Sequence, residues 1–387
     1  MYKIQTLNKI SPRGLDLFPR EDYEIASEIL NPDGILVRSF KMHDMELPPS
    51  VKAIGRAGAG VNNIPVEGCT DRGIVVFNTP GANANGVKEL VIAALFITSR
   101  NIIPAVAWAK ELKGKGDQVP KLVEKGKSQF AGPEIAGKKL GVIGLGAIGV
   151  MVANDAAALG MEVIGYDPFI SVEAAWGLSR NIQRAVGLES LVAEADYITI
   201  HAPLTNNTRG MINHDKLALM KKGVRILNFA RGGLVNNADL KEALAEGGVG
   251  AYMTDFPDDD LLHIDNVIPL PHLGASTPEA EDNCASMAVT QLRNYLEHGN
   301  IKNSVNFPDC EMAPSDGGRL TVANRNVPNM VGQITAILAS EGLNIDDMIN
   351  KHHDGLAYNI IDFDGELTEE AAGKIRGIEG VVMVRVL

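Results

Sequence analysis

Residues 139–149 read Lys-Leu-Gly-Val-Ile-Gly-Leu-Gly-Ala-Ile-Gly, an apolar run that ends in Gly144-x-Gly146-x-x-Gly149 and continues into a helical pattern. This spacing constrains the fold more than any other feature of the chain. The strand turns tightly at Gly144, admits a close approach to its backbone at Gly146, and lets a helix pack against it at Gly149. Such a βαβ opening offers N–H groups and a positive helix end to a pyrophosphate. Alone, the triplet is a weak signal. Asp167 strengthens it, eighteen residues on from Gly149 in Gly165-Tyr166-Asp167-Pro168, where a carboxylate accepts both ribose hydroxyls. An acid there repels a 2′-phosphate, and no Arg or Lys stands between Asp167 and Trp176 to accept one. NAD is therefore expected rather than NADP.

Around this turn, apolar runs alternate with helical stretches, the pattern of a parallel α/β sheet. Strands are expected at Leu140–Ile143, Glu162–Tyr166, Tyr197–His201, Arg225–Ala230, Gly250–Asp255 and Val267–Leu270, which suits a doubly wound nucleotide lobe. An earlier series, Ile35–Arg38, Val51–Arg56 and Ile74–Asn78, leads into an apolar helix over Val87–Asn101 and a polar bridge, Pro104–Lys127, with a surface helix. A long helix over Ser276–Glu297 returns the chain to the first lobe, which makes that lobe discontinuous. Asn303–Asp316, with Pro308 and Pro314, reads as a linker.

The remainder reads strand Arg319–Arg325, helix Pro328–Glu341, strands Asn344–Lys351 and Gly355–Phe363, helix Thr368–Arg376 and strand Val381–Leu387. That is a ferredoxin-like βαββαβ order and a separate small domain. The expected fold class is thus α/β, with two Rossmann-like lobes and a C-terminal ferredoxin-like domain. The expected division is residues 1–98 with 274–305 for substrate, 99–273 for NAD, 306–316 as linker and 317–387 as the small C-terminal domain.

Composition excludes other classes. A net charge of −12 without a run of five like charges repels nucleic acid and anionic lipid. The longest apolar stretch, Leu90–Ile97, is far short of the roughly 20 residues that span a bilayer. Met1–Phe18 lacks the pattern of a signal peptide, so a cytoplasmic location is expected. Cys69, Cys284 and Cys310 form no Cys-x-x-Cys pair, so neither a disulfide framework nor a metal site is expected.

Three further residues stand at the ends of successive strands: Arg231 in Asn228-Phe229-Ala230-Arg231-Gly232-Gly233, Asp260 after Asp255-Phe256-Pro257, and His272 in Pro271-His272-Leu273-Gly274-Ala275. Oxidising a 2-hydroxy acid takes a base for the hydroxyl proton, a cation for the carboxylate and a nicotinamide for the hydride. His titrates near neutrality, a carboxylate partner fixes its tautomer, and Arg offers the fork that a carboxylate needs.

These stretches, together with Gly55-Arg56-Ala57-Gly58-Ala59-Gly60-Val61, Asn78-Thr79-Pro80-Gly81-Ala82-Asn83, Val87-Lys88-Glu89-Leu90 and His201-Ala202-Pro203-Leu204-Thr205 with Thr208, resemble the D-isomer-specific 2-hydroxyacid dehydrogenase family. The resemblance implies that Arg231 binds and polarises substrate, Asp260 orients the base, and His272 takes the proton. The family acid is Glu, and here the register gives Asp260, with Asp258 and Asp259 as alternatives. The resemblance further implies NAD contacts at Gly144, Gly146, Ala147, Ile148, Gly149, Asp167, Ala202, Pro203, Thr208, Phe229, Ala230, Arg231, Asp255, His272, Gly274 and Ala275.

For substrate, Arg38-Ser39 resembles the phosphate-binding pair of the branch that oxidises 3-phospho-D-glycerate to 3-phosphohydroxypyruvate, the first step of L-serine synthesis. The turn at Ala59-Gly60 offers backbone N–H groups to a carboxylate, and Asn83 matches a family contact. Lys88 departs from the small residue usual at its position. Residues 317–387 resemble an ACT domain, which implies an L-serine effector held by Asn326 and Asn344, with Asn324 standing where serine-regulated relatives have His. A homodimer or homotetramer is expected. The other readings are a glyoxylate or hydroxypyruvate reductase of the same family, and an NAD-sensing corepressor without turnover.

Overall fold

Five short parallel strands open the chain: β1 (Tyr2–Leu7), β2 (Tyr23–Ala26), β3 (Gly34–Val37), β4 (Ala53–Arg56) and β5 (Val75–Phe77), in the spatial order β2-β1-β3-β4-β5. The computed structural model describes residues 1–314 and 317–387. It comprises two units, Met1–Asn83 with Pro278–Leu387, and Ala84–Thr277. In the first unit, β3 is wholly buried because Ile35, Leu36 and Val37 are covered on both faces. The helix Pro278–His298 lies along this sheet and buries Ala285, Ala288, Val289 and Leu292. It comes so close to the short helix Pro12–Leu15 that a Cβ on Gly14 would stand 2.6 Å from Ala285.

The second unit carries β6 (Lys139–Ile143), β7 (Glu162–Tyr166), β8 (Gln183–Arg184), β9 (Tyr197–Ile200), β10 (Val224–Asn228), β11 (Val249–Thr254) and β12 (Val267–Pro269). They pair in parallel in the order β12-β11-β10-β9-β6-β7-β8. The order reverses between β6 and β9, so the glycine turn after β6 sits at the switch point where ligands of open α/β sheets collect.

The helix Ala84–Arg100 belongs to this unit, because Val87, Val91, Ala94 and Leu95 enter its core. The units therefore divide at Asn83/Ala84 and Thr277/Pro278 rather than at the expected 98/99 and 273/274. Lys88, the unusual residue of this helix, reaches Asp155 on the helix Ala147–Ala158 at 2.9 Å. Among the described residues, no single helix is long and apolar enough to cross a membrane.

The C-terminal module has the expected order: β13 (Gly318–Arg325), helix Met330–Ser340, β14 (Ile345–His353), β15 (Leu356–Phe363), helix Glu369–Arg376 and β16 (Val381–Val386). Its antiparallel sheet runs β14-β15-β13-β16. Leu320, Val322, Ile361 and Phe363 meet Ile334, Leu338 and Ile375 of the helices.

The opposite face is covered too, which corrects the expectation of a separate domain behind a linker. Ala323, Tyr358 and Ile360 join one core with Phe77, Tyr295 and Phe307 of the first lobe. Polar contacts reinforce the join at the C-terminal end of Pro278–His298, where the last carbonyls of a helix lack partners. Arg319 Nη1 donates to the His298 carbonyl at 3.0 Å, Arg385 donates to the Tyr295 and Leu296 carbonyls at 3.1 and 2.8 Å, and the Tyr358 hydroxyl donates to the Gly299 carbonyl at 2.7 Å. The segment read as a linker packs as well. Phe307 and Cys310 are buried, and Asn306 accepts from Val76 N–H at 2.8 Å while donating to the Ile74 carbonyl at 2.9 Å, closing the edge of β5. The end of the expected linker, residues 315–316, lies outside the described residues.

Candidate active site

Within the nucleotide unit, each glycine of the turn has a separate reason. Gly144 takes φ +89° and a Cβ there would stand 2.7 Å from the His201 carbonyl carbon; a Cβ on Gly149 would stand 2.0 Å from the Gly144 carbonyl. Gly146 has open space before it and caps the helix Ala147–Ala158 without a side chain. The first N–H groups of that helix are thus open to an anion. Asp167, at the end of β7, accepts the Leu145 N–H and the Phe169 N–H, each at 2.8 Å. Its carboxylate is therefore held in one place, with lone pairs left for a ribose. The Thr208 hydroxyl donates to the Pro203 carbonyl and shapes the loop after β9. His201 closes the floor of the turn. Its Nδ1 is sealed without a partner, and burial pushes the imidazole down to about 4.

Arg231, Asp255 and His272 come together in the same unit. Asn228, buried at the end of β10, donates to the Arg231 carbonyl at 2.9 Å and so fixes the turn that presents the exposed Arg231. Asp255, only 2% exposed at the end of β11, receives the His272 N–H on its carbonyl at 3.1 Å and the Gly274 N–H on Oδ2 at 3.2 Å. Its Oδ1 is sealed without a partner. Burial raises the Asp255 carboxyl above the usual range, against the pull of His272 and Arg231. His272 itself is exposed, its ring tilted against Phe256 with centroids 4.6 Å apart, and strained at φ +24°, a conformation found where surroundings over-determine it.

The structure does not join Asp260 to His272. Among the described residues no ion pair links His272 to any of Asp258, Asp259 and Asp260. The three stand on or before the four-residue helix Asp259–Leu262, where Asp258 caps the Leu261 N–H at 3.0 Å and Asp259 pairs with His263 at 3.8 Å. Asp260 is exposed and carries neither commitment.

In the first lobe, the Asn8 side chain accepts from the N–H groups of Ser39 and Phe40 and holds the turn after β3. Arg38 is half exposed and pairs with Glu281 at 2.7 Å. The Gly58-Ala59-Gly60 turn is tied by Asn78, whose amide donates to the Ala59 carbonyl at 2.6 Å. Arg56, absent from the sequence-derived site, lies across this turn: a Cβ on Gly58 would stand 1.9 Å from its Nη1. The available signal was its place as the last residue of β4, directly before that glycine turn. Asn83 ends the first stretch of this unit.

In the C-terminal module, Asn326 and Asn344 are exposed, and Asn344 donates to Asp346. Asn324 is locked inside instead, accepting from Asn359 Nδ2 at 2.8 Å.

An unpaired, buried carboxylate oxygen at Asp255, an open helix N-terminus at Gly146 and an anchored carboxylate at Asp167 fit the carboxamide, pyrophosphate and ribose of a nicotinamide dinucleotide. Comparison with known proteins agrees. Residues 92–274 match the family model described as D-isomer specific 2-hydroxyacid dehydrogenase, NAD binding domain. The chain is 40% identical over 295 residues to a D-3-phosphoglycerate dehydrogenase of Methanocaldococcus jannaschii, covering 74% of this chain and 54% of that one. It is 39% identical over 303 residues to the one from Archaeoglobus fulgidus, with 76% and 54% covered. The chain thus spans about half the length of the curated relatives it matches. The NAD+-bound 3-phosphoglycerate dehydrogenase structure from Entamoeba histolytica superposes with a TM-score of 0.60 at 26% identity, over 79% of this chain and 98% of that one. Residues 92–274 thus carry the NAD-binding domain of D-isomer-specific 2-hydroxyacid dehydrogenases, and about three quarters of the chain is similar to relatives of that kind.

Proposed function

We propose that the chain oxidises 3-phospho-D-glycerate to 3-phosphohydroxypyruvate with NAD, the first step of L-serine synthesis. The observation that carries this reading is the grouping of Arg231 and His272 around the buried Asp255, in a unit whose glycine turn and Asp167 suit NAD. NAD, when bound, supplies the acceptor for the C2 hydride. Gly146, Ala147 and Ile148 hold its pyrophosphate, Asp167 its ribose, and Asp255 Oδ1 its carboxamide. Phe229, Ala230, Ala202 and Pro203 line its path, and Gly274 and Ala275 close the turn after His272.

His272 accepts the C2 hydroxyl proton, and its strained backbone holds the ring on Phe256 for that purpose. Arg231 binds the carboxylate and draws charge onto the forming carbonyl oxygen. On register Asp260 is the acid that orients His272, a contact that has to form when substrate binds, since no ion pair joins the two among the described residues. In the first lobe, Arg38, Ser39 and Arg56 take the phosphate, while the Ala59-Gly60 turn and Asn83 take the remaining oxygens. The C-terminal module is the effector domain, with Asn326 and Asn344 toward L-serine; the locked Asn324 supports a weak response.

Initial rates with phosphoglycerate, glycerate, lactate and 2-hydroxyglutarate, each with NAD and NADP, test the reading. Phosphoglycerate with NAD is expected to be fastest, and equal rates across the four acids would refute the phosphate assignment. His272→Gln is expected to abolish turnover while sparing NAD binding; NAD binding without turnover by the unaltered chain would leave the corepressor reading.

A further inference from the structure

Arg38 does not stand open to an incoming anion. Its Nη2 lies 2.7 Å from Glu281 Oε1, with both side chains near two-fifths exposed. Glu281 comes from the first turn of the helix Pro278–His298, an element separate in sequence from the β3 end that carries Arg38. Arg56 stands beside this pair and donates from Nε to the Arg38 carbonyl at 3.1 Å. Cys284, buried one helical turn beyond Glu281, feels Arg56, Arg38 and Glu281 together. Two cations and one carboxylate therefore gather at one point of the lobe.

We infer that Glu281 is a specificity-determining residue, an internal carboxylate that occupies Arg38 until a phosphate exchanges with it. The inference rests on the phosphoglycerate reading of this lobe. With Glu281 seated, the Arg38 charge is offset, and the overall charge of −12 adds to the penalty on a small monoanion. A phosphate group carries nearly two charges and three oxygens, so it can take the Arg38 fork through two parallel hydrogen bonds where Glu281 meets it at a single N–O contact. Exposure makes the exchange cheap, because a solvent-screened ion pair is worth little. The carboxylate thus weakens every anion at this point and penalises most those that cannot displace it. Unphosphorylated 2-hydroxy acids fall in that group.

The test is Glu281→Gln in the full chain, measured with 3-phosphoglycerate, with glycerate, and by titration of inorganic phosphate followed as thermal stabilisation. Removing the competing charge is expected to lower KM for phosphoglycerate and tighten inorganic phosphate about two- to five-fold, the range set by an exposed pair, with KM for glycerate falling further, so that the preference for phosphoglycerate narrows. In an Arg38→Gln background the same change is expected to do nothing. A higher KM for phosphoglycerate, with weaker phosphate, would mean that Glu281 props Arg38 in place and would overturn the inference. An effect of equal size without Arg38 would overturn it as well. The phosphate titration needs no turnover: tighter phosphate in a protein that oxidises none of the acids would reject the proposed reaction and leave the role of Glu281 standing.

Discussion

Arg319 is the residue on which the union of C-terminal module and first lobe most depends. It is 5% exposed, and its guanidinium holds Asp362 through Nε at 2.6 Å and Nη2 at 2.7 Å, while Nη1 reaches the His298 carbonyl and Nη2 the Ala313 carbonyl. Replacing it by Met keeps most of the volume and leaves the Asp362 carboxylate buried without a partner. Losing one member of such a pair costs about 3–5 kcal/mol. With a urea dependence of about 2–3 kcal/mol per M for a unit of this size, the midpoint falls by about 1–2 M.

The assay can separate the units, because both tryptophans, Trp108 and Trp176, lie in Ala84–Thr277. Tryptophan fluorescence therefore follows the nucleotide unit, and far-UV circular dichroism follows both. The dichroism transition is expected to move while the fluorescence transition moves less, and hydrogen exchange is expected to quicken in β3 and β4 as well as in β13 and β15. The double variant Arg319→Met with Asp362→Leu is expected to recover most of the loss, since an apolar pair of similar volume replaces a buried ion pair at little net cost. A loss below about 1 kcal/mol, or faster exchange confined to the module, would refute the claim that module and lobe share one core.

Two further outcomes follow from groups in the nucleotide unit. Burial holds the His201 imidazole down to about 4, so between that value and about 6.5 the unfolded chain binds a proton that the folded one refuses; stability is full above about pH 6.5 and falls by at most about 3 kcal/mol toward pH 4. His201→Asn is expected to flatten that part of a stability profile read by tryptophan fluorescence, and an unchanged slope would assign the acid sensitivity to other groups. Lys88→Ala is expected to cost about 0.5–1 kcal/mol at low salt through the lost contact to Asp155, and the exchanged pair Lys88→Asp with Asp155→Lys to recover part of it. A swapped pair no better than the single variant would mean that the contact contributes nothing.

Much of the nucleotide unit was legible because β6, β9, β10 and β11 are buried on both faces and so read as apolar runs between turns. The edge strand β8 has only Gln183 and Arg184, both exposed, and left no trace. β1 was equally hidden: Lys3, Gln5 and Thr6 interrupt it, and only Ile4 is buried. The site divides in the same way. Gly144, Gly146 and Gly149 act through local backbone geometry, which sequence spacing reports directly. The expected pairing of Asp260 with His272 depended on how the short helix Asp259–Leu262 is seated. That seating is decided by Asp258 as its cap and by Asn237, which donates to Asp258, and neither contact is encoded in register.

The docked module was misread for a different reason, since the signal was present. An antiparallel sheet with one solvated face alternates apolar and polar residues, yet β15 reads Leu-Ala-Tyr-Asn-Ile-Ile-Asp-Phe and is buried at all eight positions. The helices Met330–Ser340 and Glu369–Arg376 account for Ile361 and Phe363. Tyr358 and Ile360 point the other way and require a second cover, which the first lobe supplies through Phe77, Tyr295 and Phe307. Asp362, apparently a solvent residue in that pattern, is buried against Arg319. Pro308 and Pro314 argued for a linker, but the side chain of Asn306 between them and β5 carries the same donor and acceptor as a peptide group. At β5 it can end a sheet edge as well as another strand would. A two-sided apolar strand in an antiparallel module is therefore the stronger statement, and it should override prolines that argue for a free linker.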